Sequence, residues 1–141
     1  MKTYISLKYL ILFYTVVVLS LAVVKAAADC QCDGIYIIER WVNGALTSGV
    51  EHIGAPINGY PHIFHNRENI PFPCETPYYE FPMLENDIYD GGNHQGPHRV
   101  VFKANGTFCG GITHPYPPPN NDFVKCHCPP THVLSFHVQQ D

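Results

Sequence analysis

The residues that could do chemistry are Glu80, inside "TPYYEFPML", and the pair Arg99 and His114, at the two ends of "RVVFKANGTFCGGITH". A lone carboxylate among aromatics and prolines either faces water or has work to do. A carboxylate, an imidazole and a guanidinium on one sheet face would make an acid–base pair with an anion clamp. The ordinary pKa is about 4.3 for Glu and about 6.5 for His, so between those values one is ionised and the other protonated. Their attraction, with Arg99 beside Glu80, predicts that the gap widens. Such a pair suits in-line attack at phosphorus, with Arg99 countering charge on the phosphoryl oxygens. The bland alternative is that Glu80 is a solvated strand residue and the histidine is structural.

These residues need elements to bring them together. Asn105-Gly106 is the strongest short signal for a two-residue type I′ hairpin turn. Pairing Ala104 with Thr107 then carries Arg99 opposite Ile112. Alternation puts His114 on the face of Ile112 and Arg99, with the two side chains as diagonal neighbours about 7–8 Å apart at the backbone. A bulge at Gly110-Gly111 would break that parity. From Tyr60 onward short apolar runs alternate with Pro, Gly and Asn turns, the pattern of a strand-rich sheet. Upstream, "DGIYIIERWVNGAL" spaces Ile35, Ile38, Trp41, Val42, Ala45 and Leu46 as one helical stripe, with Asp33 as its cap and Trp41 as core. Residues 47–59, rich in Gly and Ser, read as a loop. The expected fold class is α+β, a single domain with one α-helix packed on a twisted antiparallel β-sheet and stapled by disulfides. The tail "PPTHVLSFHVQQD" reads equally as a short strand or a loose end.

The N-terminus is a different object. Lys2 and Lys8 precede the apolar run "YLILFYTVVVLSLAVV", and Ala26 and Ala28 offer small residues for cleavage. That is the layout of a secretory signal over residues 1–28, cut after Ala28, with the domain over 29–141 and a C-terminal extension over 129–141. The competing reading, a membrane anchor, needs about 20 apolar residues, and this run is shorter. No membrane association is expected once the signal is gone. All six cysteines, Cys30, Cys32, Cys74, Cys109, Cys126 and Cys128, survive the cut, and an even count in an oxidising compartment argues for disulfides. The CxC pairs are not the CxxC spacing that zinc usually takes, so no metal is expected. Asn105-Gly106-Thr107 is a glycosylation sequon, which fits a secreted chain. Removing the signal takes Lys2, Lys8 and Lys25 and leaves five basic residues against twelve acidic ones. A general basic surface for a polyanion is thereby excluded, so any nucleic acid must be recognised by a few placed groups.

The segments "YPHIFHNRE", "PYYEFP", "HRVVF", "GITH" and "NNDFVKC", in this order and spacing, resemble the fungal guanyl-specific family of small secreted ribonucleases. The likeness covers roughly residues 58–126. It implies that Glu80 is the general base for a ribose 2′-hydroxyl and that His114 is the acid for the leaving 5′-oxygen. It further implies that His62 assists Glu80 and Arg99 binds the phosphate. Tyr60 would bond a phosphate oxygen and Phe123 would form an apolar wall, although by themselves both read as sheet aromatics. The implied products are a 2′,3′-cyclic phosphate and a 5′-hydroxyl. DNA, lacking the 2′-hydroxyl, would not be cut. The family works without metal or cofactor, and a monomer acting on single-stranded RNA is expected.

The family reads guanine with the loop after "YPH". Glu68 falls on its base-binding glutamate, Asn66 on one of its asparagines, and Asn121 on a contact from the other side. The chain departs at His65 and at Arg67, where asparagine and a stacking tyrosine are usual. Arg67 can stack on a base through its guanidinium plane or pair with Glu68, so guanine preference relaxed toward purines is expected. Cys74 and Cys109 resemble the extra disulfide of purine-preferring relatives. The other four cysteines would link Cys30 and Cys32 to Cys126 and Cys128, in either pairing. His52, His94, His98, His127, His132 and His137 match no family site and read as surface or turn residues. A catalytically silent ribonuclease-like effector is the alternative to an active enzyme, and the presence of Glu80, His62, Arg99 and His114 favours activity. The ribosome-cleaving toxin branch usually carries long Lys-rich loops, which this chain lacks.

Overall fold

The computed structural model describes residues 27–115 and 122–129. The helix begins later than its apolar stripe suggests. Cys30–Cys32 (β1) and Ile35–Ile37 (β2) pair antiparallel, joined at Asp33 and Gly34 with φ of 49° and 83°. Asp-Gly with left-handed backbone is the two-residue hairpin signature, and the ladder it closes takes Ile35–Ile37 away from the helix. Asp33, expected as the cap, therefore sits in the turn. Helix α1 runs Glu39–Glu51 with Ile38 at its N-cap and no side-chain cap there. The Glu39 N–H donates instead to Asp29 Oδ1 at 2.5 Å, so a residue ten positions back satisfies an orphan donor.

The helix also ends later, running through residues expected as a loop. Gly49 explains why. A Cβ there would lie 2.7 Å from the Phe102 ring and 3.0 Å from Phe81 Cβ. Small residues in this stretch let the helix sit close on the sheet, which composition alone presents as loop.

That sheet has five antiparallel strands in sequential order: β3 (His62–Phe64), β4 (Tyr78–Pro82), β5 (His98–Phe102), β6 (Phe108–Thr113) and β7 (Val124–Lys125). Phe81, Val100 and Phe102 join Val42, Ala45 and Leu46 in the core under the helix. Alternation sends Tyr78, Glu80, Arg99 and Val101 to the other face, where a second cluster forms with Phe64, Ile70, Cys109 and Ile112. The site is built on the face away from the helix.

The β5–β6 hairpin reaches the expected pairing by a different route. Its turn is not type I′: Gly106 N–H donates to the Lys103 carbonyl (2.9 Å), Lys103 N–H donates to the Thr107 carbonyl (3.0 Å), and Gly106 alone in the turn has positive φ. This is a three-residue connection closed by a left-handed glycine. Phe102 then pairs with Phe108 and Val101 with Gly110, leaving Cys109 as an extra residue in β6. The two offsets cancel. Arg99 lies opposite Ile112 and His98 opposite Thr113, as the simple register predicts. Asn105 is exposed at the tip, its Oδ1 accepting from Thr107 N–H.

The disulfides are Cys30–Cys128, Cys32–Cys126 and Cys74–Cys109, and no cysteine is free. The first two span 98 and 94 residues. A loop of that size is worth roughly 4–5 kcal/mol in the chain-entropy description, and because the two loops nearly coincide the second adds far less. Reciprocal backbone bonds between Gln31 and His127 lie between these bridges. Cys74–Cys109 pins the segment before β4 to the extra residue of β6.

Ala27 and Ala28, which the expected cut would remove, are buried, and Ala27 N–H donates to Asn43 Oδ1 at 2.9 Å. Among the described residues no helix is long and apolar enough to cross a membrane. His94 and His127 are exposed and His52 half-buried. His98, expected at the surface, is buried at 3% exposure because it begins a central strand covered on both faces. His132 and His137 lie outside the described residues.

Candidate active site

The register of β3 and β4 places His62 directly opposite Glu80. Their side chains meet, with His62 Nε2 3.3 Å from Glu80 Oε1. The imidazole is 48% exposed and the carboxylate 7%. The second oxygen, Oε2, is buried with no hydrogen-bond partner among the described residues. A buried carboxylate oxygen with unused lone pairs is costly to hold and ready to accept from an incoming hydroxyl.

Burial also sets the proton affinity of Glu80. Its pKa is raised, because loss of solvent outweighs the attraction of His62 and Arg99, and Glu68 pushes it further up. The expected widening of the gap between acid and base therefore fails on the glutamate side. Desolvation was invisible in the sequence and is the largest influence here.

Arg99 sits on the same face, 4% exposed. Its Nη1 donates to the carbonyls of Gln95 (3.1 Å), Gly96 (2.7 Å) and His98 (2.7 Å). Its Nη2 donates to Tyr60 Oη at 3.1 Å, and Nε has no partner among the described residues. Neutral carbonyls thus fix the guanidinium without cancelling its charge, leaving it a clamp for an anion. Tyr60 bridges the two halves, its ring 4.9 Å from that of His62 and edge-on to buried Tyr89 at 5.9 Å.

His114 follows β6 and is held by its N–H to the Pro97 carbonyl (3.1 Å). Its ring stacks on Phe123 with centroids 3.8 Å apart, and its buried Nδ1 has no partner among the described residues. Phe123 packs edge-on against Phe64 at 5.8 Å. Residues 62–68, Glu80 and Phe123 line a pocket of about 480 Å³. Glu80 and His62 form its wall, and His114 stands behind Phe123.

The loop after β3 brings four of the five remaining candidates to this pocket, in unequal ways. Asn66 has φ of 47° and spends its side chain on Ile70, accepting from the N–H and donating to the carbonyl, both at 2.8 Å. It shapes the loop and offers backbone. Glu68 Oε1 accepts from Phe123 N–H at 3.2 Å, tying the loop to the aromatic wall. His65 and Arg67 are exposed at the rim, and among the described residues no ion pair joins Arg67 to Glu68. Asn121 lies outside the described residues. Phe64 was missed by the sequence reading, although it lies two residues from His62 on the same strand face, a visible signal.

The ribonuclease family model matches residues 25–127. The chain belongs to the ribonuclease family. Among curated members it is 37% identical over 112 residues to guanyl-specific ribonuclease T1 of Aspergillus oryzae, covering 74% of this chain and 83% of that one. It is 38% identical to guanyl-specific ribonuclease U1 of Ustilago sphaerogena, covering 72% and 98%. The match to guanyl-specific ribonuclease F1 of Fusarium fujikuroi is 43% identical, covering 73% and 66%. A ribonuclease from Hericium erinaceus has a similar solved structure, with TM-score 0.54 and 27% identity, covering 70% of this chain and 98% of that one. Membership of the ribonuclease family agrees with a face that gathers a buried carboxylate, two imidazoles and a buried guanidinium.

Proposed function

We propose that the protein is a secreted endoribonuclease that cuts single-stranded RNA after guanosine by transesterification. The observation that carries the proposal is Glu80, a buried carboxylate paired with His62 through one oxygen and, among the described residues, unpartnered at the other. Glu80 takes the proton of the 2′-hydroxyl, the 2′-oxygen attacks phosphorus, and the bond from phosphorus to the 5′-oxygen breaks. His114 gives its proton to that 5′-oxygen. The products are a 2′,3′-cyclic phosphate and a 5′-hydroxyl, and water opens the cycle with the roles reversed. The raised pKa of Glu80 makes it a stronger base than an exposed glutamate, and His62 holds the carboxylate through Oε1, the oxygen that does not take the proton. Arg99 and Tyr60 meet the phosphoryl charge, and Phe123 keeps the reacting group dry. Proton balance closes on Glu80 and His114 alone.

Guanine preference rests on the loop over 65–68, where Glu68 offers a carboxylate to the base N–H groups and exposed Arg67 offers a plane to stack on. The curated relatives are named for this base, and one, from Gibberella baccata, is named extracellular. DNA lacks the attacking hydroxyl and is not a substrate. The chain acts as a monomer after removal of its signal, with Asn105 available for a glycan.

The test is RNA cleavage by purified secreted protein in excess chelator, beside Glu80→Ala and His114→Ala. Each substitution is expected to cost on the order of 10²–10⁴ in rate. Equal rates for guanosine-headed and cytidine-headed dinucleotides would overturn the base preference. A wild type that binds RNA without cutting it would establish the effector reading instead.

A further inference from the structure

His98 is a buried titratable group that the reaction above leaves unused. It begins β5, next to Arg99, and its cross-strand partner Thr113 comes just before His114. By alternation His98 and Thr113 lie on the sheet face opposite to Arg99 and His114. Both are sealed from water, at 3% and 0% exposure. Residue 98 nevertheless bonds Arg99 directly and reaches His114 through Thr113. Its carbonyl accepts from Arg99 Nη1 at 2.7 Å and from Met83 N–H at 3.0 Å. Its Nδ1 lies 2.8 Å from Thr113 Oγ1, and Thr113 Oγ1 donates to the His114 carbonyl at 3.3 Å. The Pro97 carbonyl, one residue away, accepts from His114 N–H.

A proton count decides the direction of this chain. Thr113 has one hydroxyl hydrogen. If it goes to the His114 carbonyl, the hydrogen between Thr113 and His98 must come from His98 Nδ1. We propose that His98 is a positioning residue for His114: a neutral imidazole that donates its Nδ1 hydrogen to Thr113 and thereby turns the Thr113 hydroxyl onto the His114 peptide. The proposal rests on His114 being the acid. The groups facing His98 are Arg99, which opposes a positive charge there, and Glu85 and Asp33, which favour one. Burial outweighs the two carboxylates and holds its pKa below the ordinary histidine value, consistent with a neutral ring.

Two measurements test this, and one does not depend on activity. Nitrogen-15 NMR of the wild-type imidazoles at neutral pH is expected to show His98 protonated at Nδ1 and bare at Nε2. The opposite tautomer overturns the proposal whether or not the protein cuts RNA. In kinetics, His98→Phe and Thr113→Val are each expected to lower kcat about ten- to a hundredfold with KM within about twofold, since a small misplacement of a reacting group costs that much. The double variant should be no slower than the worse single one. His98→Asn, whose amide N–H falls where Nδ1–H was, should restore kcat to within about threefold at an unchanged acid limb of the pH profile. Unaltered kcat in folded His98→Phe and Thr113→Val overturns it. An inactive wild type with the expected tautomer counts against the assigned reaction and leaves the His98–Thr113 geometry supported.

Discussion

His62 and Glu80 face each other across β3 and β4 with only one of the two shielded from water: the imidazole is exposed and the carboxylate buried. Burial raises the pKa of Glu80 despite that imidazole and Arg99. A folded value above the unfolded one means that the folded protein holds this proton longer. Ionisation therefore costs stability, and the cost appears as pH rises through the folded value. Glu80→Gln is expected to melt above the wild type at pH 7, with the difference vanishing below about pH 4, near the ordinary glutamate pKa. Calorimetry across that range checks the sign, and the same variant should lose 10²–10⁴ in rate, roughly as the alanine does.

His98 works in the opposite sense. Its folded pKa is lowered, so the stability it contributes is present above the ordinary histidine value of about 6.5 and is lost as pH falls through the folded value. Thermal melts of His98→Asn should lose less stability than the wild type on acidification from pH 7. A parallel fall in both proteins would mean that His98 does not titrate with unfolding.

Gly49→Ala tests the close approach of helix and sheet. Alanine favours a helix by roughly 1 kcal/mol over glycine. Here the methyl group would press on Phe102 at 2.7 Å and Phe81 at 3.0 Å. A net loss of about 1–3 kcal/mol is expected from overpacking, read as a lowered denaturant midpoint.

The N-terminal alanines make a further prediction. A chain beginning at Asp29 lacks the bond from Ala27 N–H to Asn43 and two buried methyl groups. It should be about 1–2 kcal/mol less stable than a chain beginning at Ala27, with equal activity. Equal melting temperatures for the two chains would show that this contact contributes nothing.

Much of the architecture was legible because strands and turns leave period-two and Gly/Asn marks. The α+β class, the strands after Tyr60 and the pairing of Arg99 with Ile112 all followed from such local patterns. The helix boundaries did not. Ile35–Ile37 fit the helical stripe, but pairing with β1 claimed them, and Gly49 looked like loop until Phe102 stood against it. The hairpin register came out right although the turn type did not, because Cys109 restored the residue that the longer turn removed. Only the closed fold could supply that cancellation.

The same division holds at the site. The sequence by itself determined which side chains are present, and its alternation suggested a shared face for Arg99 and His114. The direction of the Glu80 pKa, the burial of His98 and the commitment of Asn66 to its own loop depend on desolvation and on contacts between distant segments. Those quantities exist only once the chain has closed around them, and tertiary structure alone decided them.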